Sequence, residues 1–475
     1  DLVAARAAQS VLMANRSGKL HPDNADYLTA DSAEMAETLR LLVRADPAEA
    51  AARIGRACGL SIRRRSSFET ALNLRQQRLG PALGLSYDVP VRLDHGDGVW
   101  LTDTDGRRLL DAYNNVPHVG HAHPQVVSAL SAQAGRLSTN TRYLVDEVAE
   151  YADRLTGMLP RPLEVVMFVN SGSEANDLAY QIASVVTGKL GLITTENAYH
   201  GTTFATAAMS PEEYEGTERA APAARVGGAD LLRSSAPDEA ILTGLDLAAE
   251  DLQRGGDGTG MVIFDTVFSS EGIFDVPEGY LRSARAWATA HGALLVADEV
   301  QAGFGRVGPA LWGFEGDGAV PDIVTLGKPM GNGYPMGAVV TTKAIAESFA
   351  ARWHFFSTFA GSPVAAAVGT AVLDVMADEN LAENAQVVGD YIRSGIESLD
   401  SAHVVDVRGP GLFVGIELTG AELATTVVND VRRRGVLVGT TGPDANVIKV
   451  RPPMVFTQHH ADVLIGALGE SLLNS

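Results

Sequence analysis

Ala293-Leu294-Leu295-Val296-Ala297-Asp298-Glu299-Val300-Gln301 is an uninterrupted apolar run that ends on two carboxylates. It is short and does not alternate, as expected of a strand buried on both faces, and such strands belong to parallel sheets covered by helices. Val165 to Val169, Leu192-Ile193, Met261 to Phe264 and Ile323-Val324 repeat the signal, with helical stretches between them. The alternation predicts an α/β layer around a mainly parallel central sheet. Functional groups are then expected on loops at strand ends, where Asp298 lies.

On either side of this layer the pattern changes. Downstream of Pro363 an alanine-rich helix leads into further helices and the short runs Leu412 to Leu418 and Val447 to Val450, which predict a smaller α+β unit. Upstream, Tyr87-Asp88-Val89-Pro90 opens short alternating runs such as Val99-Trp100-Leu101, punctuated by Asp105-Gly106. Residues 1–67 are rich in Ala, Leu and Arg, with helical spacing at Ser32 to Val43 and Pro47 to Cys58. Asp46 is placed to cap the second stretch, and Pro47 fits its first turn. The expected division is a helical extension over 1–75, the N-terminal part of a small domain over 76–150, a large domain over 151–370 and the C-terminal part of the small domain over 371–475.

A formal net charge of -21 argues against a nucleic-acid or anionic-membrane surface. No charge-free apolar stretch reaches the about 18 residues of a membrane span, and the N-terminus lacks a basic-then-apolar leader, so the chain reads as cytoplasmic. Cys58 is the single cysteine, which excludes an intramolecular disulfide and a thiolate zinc cluster. Asp1 stands where a methionine would begin a gene product, so the chain is expected to start inside a longer one or after processing.

Three segments carry candidate chemistry. Asn170-Ser171-Gly172-Ser173-Glu174-Ala175-Asn176 follows a strand and opens a helix, so its N–H groups and hydroxyls are placed to hold a phosphate; an ordinary serine cap is the competing reading. Asp298, at the end of a buried strand, is placed to keep a pyridine nitrogen protonated, unless it caps the next loop or pairs with a basic residue. In Thr325-Leu326-Gly327-Lys328-Pro329 a lysine follows an apolar run. Burial there would favour the neutral amine that forms imines, although a lone lysine is most often a solvated surface group. His118, His121 and His123 lack a nearby carboxylate or cysteine to complete a ligand set, so no metal is expected.

From about Leu79 to the C-terminus the sequence resembles the class III aminotransferases, fold type I enzymes dependent on pyridoxal 5'-phosphate (PLP). The resemblance rests on Asn170 to Asn176, Ala198-Tyr199-His200-Gly201, Asp298 to Arg306, Gly327-Lys328-Pro329 and Ser357-Thr358-Phe359, in the family's order. It implies that Gly172 and Ser173 bind the cofactor phosphate, Tyr199 stacks on the pyridine ring, Asp298 pairs with its nitrogen and Gln301 approaches its hydroxyl. It further implies that Lys328 forms the Schiff base and that Thr358 reaches the cofactor phosphate of a neighbouring subunit, making the enzyme at least a homodimer.

Within the family, Tyr113 to His121 with His123-Pro124, Thr139 to Leu144 and Gly327 to Gly333 resemble the ethanolamine-phosphate phospho-lyase branch. The resemblance implies a phospho-lyase that eliminates phosphate from an O-phosphorylated amine or amino acid through an external aldimine; the alternative is amino transfer to a keto acid. Where many family aminotransferases hold a substrate carboxylate with an arginine before a Pro-Pro pair, the matching position is Lys449, not the adjacent Arg451. A lysine there suits a monodentate contact to phosphate. Arg142 and Lys449 are the candidates for holding that phosphate, and His118 for facing substrate. Solvated or salt-bridged surface cations are the competing reading of the first two. Asp265, Val145, Tyr334 and Ser362 depart from the branch's residues, so the substrate is open to differ from ethanolamine phosphate. Asn15 to Leu28 resembles the tail of an aminoglycoside-phosphotransferase-type kinase, which suggests a fused kinase-like domain upstream that supplies the phosphorylated substrate.

Overall fold

A computed structural model describes residues 67–214 and 221–474. The expected helices within Ser32 to Val43 and Pro47 to Cys58, Cys58 itself and the kinase-like stretch Asn15 to Leu28 lie outside the described residues. The chain divides into two compact units between Gly84 and Leu85. In the first, the helix Phe68–Leu79 runs through position 75, where the extension was expected to end; Ser67 Oγ caps it by accepting from Thr70 N at 3.1 Å.

The second unit is built on a seven-stranded sheet in the order Leu163–Val169, Gly337–Thr342, Ile323–Leu326, Leu294–Asp298, Thr259–Asp265, Gly191–Thr195 and Ala223–Val226. Gly337–Thr342 is antiparallel to both its neighbours, and the other pairs are parallel. The sheet is therefore mainly parallel, as the apolar runs predict, with two strands that sequence reading did not identify. Ala223–Val226 is a short edge strand with no long apolar run. Gly337–Thr342 carries a β-branched run that would have supported a strand.

Helices cover this sheet because their apolar faces require it. Gly172–Thr187 begins at its cap Ser171, whose Oγ accepts from Glu174 N at 3.1 Å, while Glu174 Oε2 accepts from Asn170 N at 2.9 Å. It buries Leu178 and Ile182, each worth about 1.5–3 kcal/mol. The helix ends at Gly188, whose φ of 71° is the left-handed conformation that glycine adopts without strain.

Two smaller sheets complete the unit. Leu93–Asp97, Trp100–Asp103 and Arg108–Asp111 form an antiparallel meander whose last strand pairs in parallel with Val436–Leu437. The segments near each end of the unit thus share one sheet. Val404–Arg408, Val414–Leu418, Val447–Val450 and Gly439–Thr441 form an antiparallel sheet with Val447–Val450 in its interior. Among the described residues no helix is long and apolar enough to cross a membrane.

Candidate active site

Strand register assembles the site. Asp265 lies beside Asp298, and Asp298 beside Thr325, so two carboxylates and a hydroxyl form a row at the carboxyl ends of three adjacent parallel strands. A cavity of about 230 Å³ opens there, lined among others by Gly172, Ser173, Tyr199, Asp265, Asp298, Gln301 and Lys328.

Asp298 is 4% exposed and held from behind. Its Oδ2 accepts from Asn176 Nδ2 at 2.8 Å and lies 2.6 Å from His200 Nδ1, while its Oδ1 accepts from Val300 N at 3.0 Å. Asn176 is oriented in turn, accepting from Thr325 Oγ1 at 2.6 Å and donating to the His200 carbonyl at 2.8 Å. The loop-capping reading of Asp298 is therefore correct in part, through Val300, but the bonds on Oδ2 do more than cap. They fix a buried carboxylate facing the cavity.

The helix start supplies the opposite pole. Ser171 takes the capping role, which leaves Ser173 on the cavity wall with its Oγ accepting from Thr202 N at 3.1 Å. A methyl group on Gly172 would lie 2.8 Å from Val300 Cγ1, so only glycine lets the helix N-terminus approach the strand end this closely.

Lys328 opens a short 3-10 turn after Ile323–Leu326. Asn332, at a φ of 45°, ties that turn to the 113–123 loop: its Oδ1 accepts from Val119 N and its Nδ2 donates to the Gly120 carbonyl, both at 2.9 Å. Burial, reinforced by the charge of Arg451 and opposed by Asp298 and Asp265, lowers the Lys328 amine from 10.5 to about 8. Burial and the charge of Asp298 raise the Asp265 carboxyl. The Tyr199 hydroxyl is also raised, first by burial.

Gln301 is built into a polar chain. Arg451 donates to its Oε1, its Nε2 donates to Ser269 Oγ at 2.6 Å, and Ser269 donates to Asp265 Oδ2 at 2.5 Å. Asn115 Nδ2 also reaches Gln301 Oε1, at 3.4 Å.

Other expected site residues lie elsewhere. His118 is not among the residues that line this cavity: it is fully buried, 2.9 Å from the Phe304 carbonyl through Nε2 and 3.4 Å from Arg306 through Nδ1. Burial and the Arg306 charge lower its pKa to about 3, so it is a neutral structural residue. His121 pairs with Asp111 at 2.7 Å and His123 with Glu379 at 3.3 Å, each fixing its loop separately. Arg142 and Thr358 are exposed and do not line this cavity, with the Arg142 guanidinium 4.0 Å above the Phe356 ring. Lys449 is 7% exposed on Val447–Val450 and its side chain makes no hydrogen bond or ion pair among the described residues, which disposes of its surface reading. Ser362 keeps a capping role, accepting from Ala365 N at 3.2 Å.

Sequence reading assigned no role to Asn176, His200 or Ser269, and passed over Arg451. Asn176 and His200 lay inside quoted motifs, where a polar residue at a buried helical position and a histidine beside Tyr199 were the available signals. Ser269 carried none, because its role arises only when its loop folds against Asp265.

The donor set fits PLP in kind: one amine for the aldehyde, one buried carboxylate for the ring nitrogen, one aromatic ring and one helix N-terminus for the phosphate. Residues 85–472 match the family model for class III aminotransferases. An alanine–glyoxylate aminotransferase 2-like protein of Drosophila melanogaster is 40% identical over 434 residues, covering 86% of this chain and 87% of that protein. Ethanolamine-phosphate phospho-lyase homolog 1 of Caenorhabditis elegans is 33% identical over 438 residues, 86% of this chain and 94% of that one. A phospholyase from Arthrobacter, solved in complex with phosphoethanolamine, superposes with a TM-score of 0.81 at 40% identity, covering 85% of this chain and 100% of its own. The chain belongs to the class III aminotransferases, fold type I enzymes whose cofactor is pyridoxal 5'-phosphate.

Proposed function

We propose that the protein is a phospho-lyase that eliminates phosphate from an O-phosphorylated amine. The observation that carries this reading is Lys449, a buried lysine in no ion pair among the described residues, close enough to Lys328 for the two charges to affect each other. Such a cation favours an anionic substrate group, and its single ammonium suits a phosphate oxygen. The likeness to the Arthrobacter phospholyase supports the same substrate class.

In this reading Gly172 and Ser173 hold the cofactor phosphate, Tyr199 stacks on its ring, and Asp298, fixed by Asn176 and His200, keeps a proton on the ring nitrogen. When bound, the cofactor withdraws the electrons left on the amine-bearing carbon as that carbon loses its proton. Lys328 Nζ takes that proton, a task suited to an amine whose pKa burial has brought to about 8. Lys449 holds the phosphate on the next carbon so that its C–O bond breaks with the electron pair leaving on phosphate. The remaining enamine hydrolyses to a carbonyl compound and ammonia.

Arg142 and Thr358 enter this scheme through a second copy of the chain. They lie near Tyr143, Leu144, Phe356 and Phe359, which are 67, 93, 42 and 78% exposed, an apolar surface suited to burial in a homodimer. Across that interface Thr358 reaches the partner's cofactor phosphate, and Arg142 assists with the substrate phosphate. A fused kinase-like domain upstream would supply the substrate.

Likeness to alanine–glyoxylate aminotransferases supports a second reading, amino transfer to a keto acid. Incubation of the holoenzyme with ethanolamine phosphate and phosphorylated amino acids separates the two. Inorganic phosphate is expected; its absence from every substrate, together with amino transfer to pyruvate, overturns the lyase reading.

A further inference from the structure

Lys449 lies on the interior strand Val447–Val450 and Arg451 immediately beyond its end, two residues on, so continuing the strand's alternation puts both side chains on one face. Glycines flank Lys449 across the sheet, Gly415 on one side and Gly439 on the other. A methyl group on Gly439 would lie 2.3 Å from Tyr113 Cε2, so this glycine admits the Tyr113 ring against the sheet. Arg451 lies 4.8 Å from the centre of that ring, and its Nε donates to the Tyr113 carbonyl at 3.1 Å. Its remaining partner is Gln301, an uncharged amide.

Among the described residues no carboxylate forms an ion pair with Lys449 or with Arg451, and Glu212 and Asp265 act on Lys449 only from beyond ion-pair distance. Two such charges on one partly desolvated face are costly in the absence of an anion, and the fork of a guanidinium complements the point charge of an ammonium in binding a tetrahedral oxyanion. Burial first, and then the charge of Arg451, lowers the Lys449 amine to about 7, against the opposing charges of Glu212 and Asp265.

We propose that Arg451 is a second, specificity-determining cation of the substrate site, acting with Lys449 on the phosphate dianion and held ready by neutral Gln301 instead of a carboxylate. Gln301 passes the constraint through Ser269 to Asp265, so the anion site and the cofactor cavity share one hydrogen-bonded chain. This assignment rests on the phospho-lyase reading for the identity of the anion, but not for the existence of the site.

The test is calorimetric titration of the holoenzyme with inorganic phosphate, alongside KM for ethanolamine phosphate and the affinity for unphosphorylated ethanolamine. Arg451→Gln is expected to weaken phosphate binding by about tenfold to a hundredfold and to raise KM, leaving ethanolamine affinity unchanged. Arg451→Lys, which keeps the charge but loses the fork, is expected to weaken phosphate by only about threefold to tenfold, and it decides the matter if Arg451→Gln does not fold. Unchanged phosphate affinity in these variants overturns the proposal, as does an equal loss of ethanolamine affinity, which would mark a merely structural arginine. Weakened phosphate binding in an enzyme that releases no phosphate from any substrate would uphold the anion site and refute the lyase reading alone.

Discussion

Replacing Asn176 with alanine tests whether Asp298 is held in position by its neighbours. The substitution deletes one hydrogen bond to a carboxylate, from Asn176 Nδ2 to Asp298, and two neutral ones, with Thr325 Oγ1 and the His200 carbonyl. Bonds to charged groups contribute about 1.5–3 kcal/mol and neutral ones about 0.5–1.5, so the loss should total about 2.5–6 kcal/mol. Asn176 is 1% exposed, so little water can replace the lost groups. The assay is urea unfolding of the apoprotein, read with the rate of cofactor loss from the holoenzyme. Stability should fall by that amount and cofactor loss should accelerate. The near-isosteric Asn176→Asp places a second carboxyl beside Asp298, and two such close carboxylates cannot both ionise. Its protonated form can still donate to Asp298, so its deficit should be small in acid and grow as pH rises. An Asn176→Ala apoprotein within about 0.5 kcal/mol of wild type, with unchanged cofactor retention, would refute the reasoning.

Other perturbations probe the remaining parts. His118→Ala should cost about 2–4 kcal/mol of stability by stranding the Phe304 carbonyl and leaving a cavity, without changing KM; a raised KM at unchanged stability would restore His118 to the substrate site. Gly172→Ala should weaken cofactor binding, measured by equilibrium dialysis, because its methyl group would meet Val300 at 2.8 Å. The amines of Lys328 and Lys449, at about 8 and about 7, lie below the about 10.4 of an unfolded lysine. The folded apoprotein thus binds fewer protons than the unfolded chain between these values. Their contribution to stability should rise as pH climbs from about 7 to 10, and Lys449→Met should flatten that rise in pH-dependent unfolding. Leu144→Glu should dissociate the proposed homodimer in sedimentation analysis, since the leucine is 93% exposed in the single chain.

The parallel sheet was legible because Leu294–Asp298, Thr259–Asp265 and Ile323–Leu326 are buried on both faces and read as plain apolar runs. Lys328, Asp298 and Gly172 were legible for a related reason: each stands at the junction between such a run and a turn, where sequence marks position sharply. The surroundings of His118 were not legible, because its contacts come from Phe304 and Arg306, far along the chain. Arg451 was overlooked for the same reason. Its meaning depends on Gln301 and Tyr113, and only folding shows that neither partner is a carboxylate. Local signals thus locate groups attached to strand ends, while charge balance across a site needs the tertiary structure.

Elimination is distinguished from amino transfer by the number of turnovers of ethanolamine phosphate that the holoenzyme completes with no keto acid present. An eliminating enzyme needs no amino acceptor. Phosphate, carbonyl compound and ammonia should therefore appear in equal amounts over many turnovers per active site. Product that stops at one equivalent per site, resumes only on adding pyruvate and comes without phosphate would contradict the account.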